Sequence, residues 1–411
     1  MRPPPAGLLI GLAILVVGCQ GAAAGRPVPT GDDLVVGAAI SLTGSRAGEG
    51  QLTQQGYLLW RDWMNERGGI EVGGVRHRVR LLVQDDESRA EQAAALADQL
   101  VRRRGARFLL GPYGSDATAA VAAVAERLGI PHVAGNGAAL AIFSQGHRYT
   151  FGVLSPSDRY MTSVLDLAAT LRPQPRTIAM LAADDSFSLE VAESVRAQAS
   201  ARGFQVVLDE RYPAGSTAVA ALVARAAALA PDILLNSGHL AEAVAIHRAA
   251  RTLGLDARIF AYSVGPSTPD FVAELGPDAD YVLVGSQWSP QVRYRPQRYL
   301  TTPEYIAAYK RTFRTLADPA YQTADATAAA IALERAIEDA GSTRPDAVRD
   351  ALARLDVVTF YGRLRFDGRG ANVFKPMVVE QIQRSRRHTV YPADVADARV
   401  AYPTPPWAQR A

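Results

Sequence analysis

The chain has a single cysteine among its 411 residues, Cys19. Internal disulfides, Cys-x-x-Cys redox pairs and zinc fingers are excluded by that arithmetic. It also lacks a large charge of one sign: the net charge is +3. The densest basic run, Arg102-Arg103-Arg104, closes a predicted helix, where cations suit the dipole. No aromatic residues interleave with it, so nucleic acid is not an expected partner. The glycines at 44, 48 and 50 invite a phosphate-loop reading, but no Gly-Lys-Ser/Thr follows, and no dinucleotide fingerprint with its downstream acid is present. Gly-x-Ser-x-Gly is missing, no Ser/His/Asp trio falls on adjacent predicted strand ends, and no histidine spacing suits a metal. The expectation is a protein that is not an enzyme and holds no cofactor and no metal.

What is present begins at the N-terminus. One charged residue, Arg2, precedes an apolar run from Ala6 to Val17, then Gly18-Cys19. A run that short suits a secretory signal better than a membrane span, which needs roughly 20 residues. Val16-Val17-Gly18-Cys19 resembles the bacterial lipoprotein cleavage box, in which Cys19 becomes the lipidated first residue; the alternative is an ordinary signal cut elsewhere. Residues 1–19 are read as signal peptide and 20–32, rich in Gly, Ala and Pro, as a tether. No later stretch is long and apolar enough to span a membrane. The expected location is the periplasm or cell surface, with membrane lipid engaged through Cys19.

The rest of the chain is organised around Phe108–Ala138. An apolar strand, Phe108–Leu110, drops into Gly111-Pro112-Tyr113-Gly114; Ser115 then opens a small-residue helix to about Leu128. A second strand, Ile130–Ala134, ends in Gly135-Asn136-Gly137. Strand, glycine-rich bend, hydroxyl and helix make a small-ligand cradle at the carboxyl end of a parallel sheet. The first N–H groups of the helix are unpaired within it and favour an anion. Ser115 reads as a helix cap or as a ligand contact.

Length and pattern both point to two lobes. The composition is that of an ordinary globular chain, 48% hydrophobic and 21% charged. Leu34–Ile40 reads as a strand buried on both faces, followed by the loop Ser41–Gly50 and a helix over about 51–67. Val79–Val83 is a strand ending in Asp85-Asp86-Glu87, which reads as an acidic helix start rather than a metal site. Strands near 79, 108 and 130 have counterparts near 205, 233 and 258, so one β/α module is written twice. The fold class is α/β: two doubly wound parallel-sheet lobes joined by a multi-strand hinge. Later helices are expected at about 304–316, 320–340 and 345–355, with strands at 281–288, 359–366 and 377–383. The expected division is lobe I at 33–153 plus 287–360, lobe II at 154–286 plus 361–390, and an extended or loosely held tail over 391–411.

Several short stretches carry a family resemblance: Val36-Gly37-Ala38-Ala39-Ile40-Ser41-Leu42-Thr43-Gly44, Asn65-Glu66-Arg67-Gly68-Gly69-Ile70, Gly111-Pro112-Tyr113-Gly114-Ser115, Gly129-Ile130-Pro131, and Phe360-Tyr361-Gly362 leading to Phe366-Asp367. From about Leu34 to Gln383 the chain resembles the periplasmic leucine/isoleucine/valine-binding proteins, the type I flytrap receptors of ABC importers. The resemblance implies a ligand gripped between the lobes by Tyr113, Gly114, Ser115, Asn136, Gly137 and Ala138 from the first. Phe187, His239 and Val264 would come from the second, with Trp288 near a crossover. Phe187 reads equally as core, and His239 as the cap of its following helix. Tyr57, Trp60 and Trp63 read as packing.

Two departures bear on the ligand. Amino-acid-binding members carry a hydroxyl where this chain has Ala138, and an acid near Val264, where this chain has none. Either Glu49 supplies the missing counter-charge or the ligand is not an α-amino acid; the alternative for Glu49 is a solvated loop charge. The expected function is a lipid-anchored, monomeric solute receptor that hands a small organic ligand to ABC permease subunits. That ligand is an amino acid, an amide, or an aromatic or aliphatic carboxylate. The alternative is a ligand sensor of the same fold with a signalling partner.

Overall fold

The apolar run at Leu34–Ile40 becomes the middle of a six-stranded sheet, with parallel neighbours on both sides. The computed structural model describes Met1, residues 28–296 and residues 298–410. The expected signal peptide, Cys19 and most of the expected tether lie outside the described residues. Strand β1 (Gly31–Ile40) takes in the last two residues assigned to the tether. Around it lie β2 (Ile70–Val72), β3 (Val75–Asp85), β4 (Phe108–Leu110), β5 (His132–Ala134) and β6 (Thr150–Gly152), in the order β2-β3-β1-β4-β5-β6. All neighbours are parallel except the β2–β3 hairpin.

The second sheet repeats the plan. It contains β7 (Thr177–Ala183), β8 (Gln205–Tyr212), β9 (Ile233–Ser237), β10 (Ile259–Tyr262) and β11 (Leu283–Ser286). A separate hairpin, β12 (Asp356–Thr359) with β13 (Gly362–Arg365), comes next, then β14 (Val378–Gln383) and β15 (Arg386–Tyr391). The order β15-β14-β11-β10-β9-β7-β8 is parallel from β11 to β8 and antiparallel at β14 and β15. Parallel strands covered on both faces need apolar runs, and Ile178–Ala183 in β7, Ile233–Leu235 in β9 and Ile259–Tyr262 in β10 supply them.

Helices cover the sheets. Ala47–Glu66 and Tyr321–Ala340 pack together on the first, where Thr323 and Thr327 hydroxyls donate to the Leu52 and Gly56 carbonyls at 2.9 and 3.0 Å. Tyr57 and Trp60 are buried there, as packing residues: Tyr57 Oη donates to the Gly111 carbonyl at 2.8 Å and Trp60 Nε1 to Glu334 at 2.8 Å. The acidic run after β3 does not start a helix. Asp85 accepts from Leu42 N–H and Thr43, and Asp86 from Ser41 Oγ at 2.7 Å, so the run clasps the loop leaving β1.

The chain crosses between the sheets three times, after β6, β11 and β13. The crossings are tied to each other: Ser155 N–H donates to Gln287 Oε1 at 3.0 Å, Ser155 Oγ to the Lys375 carbonyl at 2.7 Å, and Lys375 Nζ to the Gln287 carbonyl. Residues 359–366, expected as one strand, are divided by a turn at Phe360-Tyr361, because β12 and β13 fold back on one another. The expected lobe boundary after residue 360 falls within that turn. The hairpin stays whole, and Ala371 still bridges to Gly152 on the edge of the first sheet. The tail is extended, but not loose. Thr404 N–H donates to the Arg258 carbonyl at 3.0 Å and Trp407 Nε1 to the Leu255 carbonyl at 2.9 Å, which fastens it to the second lobe.

Candidate functional site

Where the two sheets face each other, the carboxyl ends of their strands enclose a cavity. Its first-lobe wall is Tyr113, Gly114, Ser115, Asn136, Ala138 and Tyr321, and its second-lobe wall is Tyr160, Phe187, His239 and Val264, with Leu154 at the crossing. The strands β4 and β5 end beside one another, and an isolated bridge between Tyr113 and Asn136 continues their pairing into the loops. That is what brings the two bends to one place.

Ser115 opens the helix Ser115–Leu128, but it is not a cap. Gly114 holds the cap position at φ 91°, a left-handed conformation that glycine adopts without strain, and no side chain caps this helix. Ser115 Oγ instead accepts from the Ala138 and Ala139 N–H groups at 3.2 and 3.1 Å, which pins the second bend to the first. The hydroxyl proton is left to donate into the cavity.

Two other helix starts at the cleft are closed by the protein itself. Asp185 caps Ser186–Ala199 by accepting from Ser188 N–H at 2.9 Å. Glu49, a first-lobe residue, accepts from Leu240 N–H at 3.0 Å at the start of the second-lobe helix Leu240–Thr252. The start of Ser115–Leu128, by contrast, has no side-chain cap, like that of Tyr321–Ala340 beside it, and leaves backbone donors free for an anion.

The second-lobe side is aromatic. Phe187 meets Tyr160 edge-on with ring centres 4.8 Å apart and lies 5.6 Å from His239; Tyr113 meets His239 edge-on at 5.7 Å. Tyr113 Oη and His239 Nδ1 are 3.0 Å apart across the cleft. His239 Nε2 lies 3.4 Å from Asp185 Oδ2, near enough for attraction but poorly aligned for a hydrogen bond. Burial alone would raise the Asp185 carboxyl, but His239, Arg46 and the Ser188 N–H outweigh it and hold its pKa well below the usual carboxylate range. Asn136 Nδ2 donates to the Gln322 carbonyl at 3.2 Å, while its Oδ1 is buried without a partner.

Three of the expected site residues stand off the cavity. Glu49 is neither solvated nor lining it; the carboxylate is spent on Leu240. Gly137 faces Thr118, so closely that a Cβ would lie 2.5 Å from Thr118 Oγ1, and it serves close packing. Trp288 is core, stacked edge-on against Tyr305 and Phe360 with Nε1 donating to the Phe360 carbonyl at 3.2 Å. Conversely Leu154, Tyr160 and Tyr321 line the cavity unannounced, because they lie outside the strand-end loops on which the repeat pattern focuses attention. No cluster of three metal-ligating side chains occurs among the described residues.

A family model described as periplasmic binding protein matches residues 33–387. The chain belongs to that family. Among periplasmic binding proteins and their relatives, the leucine-, isoleucine-, valine-, threonine- and alanine-binding protein of Pseudomonas aeruginosa is 24% identical over 340 residues, covering 82% of this chain and 87% of its own. In structure the chain is similar to LivJ of Streptococcus pneumoniae, a branched-chain amino acid transporter substrate-binding protein in complex with isoleucine. The TM-score is 0.76 at 21% identity, covering 90% of this chain and 100% of that one. It is also similar to a solute-binding protein of an ABC transporter from R. palustris in complex with benzoate, with a TM-score of 0.74 at 16% identity over 87% of this chain and 95% of that one. The type I periplasmic binding protein fold is therefore established, and these relatives are named as binding proteins rather than enzymes.

Proposed function

We propose that this chain is the extracytoplasmic solute receptor of an ABC importer and that its lobes close over a small organic ligand bearing a carboxylate. The observation that carries this is the contrast between helix starts: those of Ser186–Ala199 and Leu240–Thr252 are filled by the protein's own carboxylates, and that of Ser115–Leu128 is left to something else. The ligand carboxylate lies on that start and accepts a hydrogen bond from the Ser115 hydroxyl. Tyr113, Asn136, Phe187, His239 and Val264 surround the remainder. Relatives bound to isoleucine and to benzoate support a carboxylate as the shared feature of the ligand. The wall, mainly aromatic with a few polar groups, is of the kind that takes a small organic ligand.

Flytrap closure is part of the reading, because a ligand shifts the open–closed balance only through contacts made to both lobes at once. Anchoring through a lipid on Cys19 and delivery to ABC permease subunits complete it. The anchor rests on the N-terminal sequence alone; Cys19→Ser should move the protein into the soluble fraction. The binding claim is tested by a thermal-shift screen of amino acids, amides and carboxylates, followed by small-angle scattering. A stabilising carboxylate that also shrinks the radius of gyration is expected. Stabilisation by amides or amines alone would refute it.

A further inference from the structure

None of the side chains on the cavity wall is a carboxylate, and those nearby are engaged or neutral. Asp185 lies next to the wall, yet that carboxylate already engages Ser188 through both oxygens, with Arg46 at 3.5 Å and His239 at 3.4 Å. Glu49 is occupied by Leu240 N–H. Asp325 is buried behind Tyr321 and Asn136, away from the wall, and burial pushes its carboxyl well above the usual range toward the neutral form. An ammonium enclosed here would be stripped of water without a counter-charge, which is costly.

What the wall does offer is specific. Tyr160, Phe187 and Tyr321 present ring surface, continued by Tyr113 and His239. Asn136 is 5% exposed, lines the cavity, and holds an acceptor oxygen with no partner. A buried acceptor left unpaired is unfavourable, so the bound ligand is selected to bring it a neutral donor.

We infer that the ligand is an aromatic carboxylate carrying a hydroxyl and no ammonium. Its carboxylate sits on the Ser115–Leu128 helix start, its ring among Tyr160, Phe187 and Tyr321, and its hydroxyl donates to Asn136 Oδ1. This narrows the ligand class and rests on the receptor reading above.

Isothermal titration of the full chain separates the two claims. The probes are 4-hydroxybenzoate against benzoate, mandelate against phenylglycine, and 4-methylpentanoate against leucine. Within each of the last two pairs the carboxylate is shared, and only one member carries an ammonium. Hydroxylated aromatic acids are expected to bind roughly tenfold tighter than benzoate, the worth of one hydrogen bond. Mandelate is expected to exceed phenylglycine by at least as much. In Asn136→Ala the preference for 4-hydroxybenzoate over benzoate should vanish while benzoate binding persists; wild-type ranking stands as the test should that variant fold poorly. Tighter binding of phenylglycine or leucine, or of 4-methylpentanoate over every aromatic acid, overturns this inference and leaves the receptor reading intact. Binding of none of the six overturns both.

Discussion

The Glu49 carboxylate of the first lobe accepts a hydrogen bond from the Leu240 N–H of the second at 3.0 Å, and Glu190 returns the favour. Glu190, on the second lobe, accepts from the Leu140 and Ala141 N–H groups of the first at 2.6 and 2.9 Å. Each lobe thus lends a carboxylate to a helix start on the other. If the lobes part as in the flytrap reading proposed above, opening the cleft breaks the Glu49 bond, which then adds to the closed state whatever ligand lies inside.

Glu49→Ala should therefore weaken ligand binding without touching the cavity wall. It leaves the Leu240 N–H buried and unpaired, which costs about 1–3 kcal/mol and lowers affinity roughly 5- to 150-fold. The loss should fall mainly on the dissociation rate, since the latch forms after the ligand has entered. Glu49→Gln keeps an acceptor oxygen and should lose less. Stopped-flow and calorimetric constants equal to wild type in Glu49→Ala would show that closure does not depend on this contact.

Ser115→Ala should lower both stability and affinity, because the hydroxyl works in two directions. Its oxygen takes the Ala138 and Ala139 N–H groups, and its proton is left for the ligand. A loss of about 1–3 kcal/mol is expected in chemical denaturation without ligand, with a comparable loss in binding free energy. A drop in stability with unchanged affinity would restrict Ser115 to holding the second bend.

The strand ends of the first lobe were legible because a parallel sheet demands continuous apolar runs and its loops demand glycine. Phe108–Leu110 appears as expected to the residue, and the following helix differs by one position at its start, where Gly114 rather than Ser115 takes the cap. Glu49 was not legible. Its partner Leu240 is 191 residues away, and no local pattern links a loop carboxylate to a helix start in the other lobe. Tyr160 and Tyr321 escaped for another reason: an aromatic side chain outside the strand-end loops looks like core until the opposing sheet supplies the cavity. The division at Phe360-Tyr361 escaped because a hairpin with so short a turn keeps the alternation of one strand.

Glu334 should contribute stability that falls as pH rises between about 4.5 and 8. Burial pushes the Glu334 carboxyl up to about 8 from 4.5, reinforced by Glu338 and opposed by the hydrogen bond from Trp60 Nε1. In this window the folded state holds a proton that the unfolded state has lost. The contribution is thus complete below 4.5 and declines toward 8, on the order of 1 kcal/mol per pH unit. Lys375, pushed down by burial to about 7 from 10.5, acts with the opposite sign above 7, and His132 and His247, held down to about 3 from 6.5, do so below 6.5, so the Glu334 share is read as the difference between variant and wild type. Glu334→Gln keeps an acceptor for Trp60 and should take this falling contribution out of the pH profile, so that the wild-type advantage in denaturation midpoint shrinks as pH rises. Parallel pH profiles for variant and wild type would mean that Glu334 is ionised in the folded protein.

Trp407→Ala should destabilise the second lobe while sparing ligand affinity. The ring lies 5.2 Å from His247 and 5.6 Å from Phe260, and the Arg410 guanidinium sits 3.5 Å above it. Its Nε1 donates to the Leu255 carbonyl, and its own N–H to Asp256 at 2.8 Å. Losing the ring and the Nε1 bond from a half-buried site should cost about 1–3 kcal/mol by denaturation. His247 reports the same event chemically. Burial holds its pKa down to about 3 from 6.5, so its neutral form supports the fold above 6.5, and that support is lost as pH falls toward 3. Opening its surroundings to water should move the His247 titration, followed by NMR, back toward 6.5 and make the acid loss shallower. None of these groups lines the cavity, so calorimetry at neutral pH should return the wild-type affinity. A variant that loses ligand affinity but keeps its stability would place the tail in the closing motion instead.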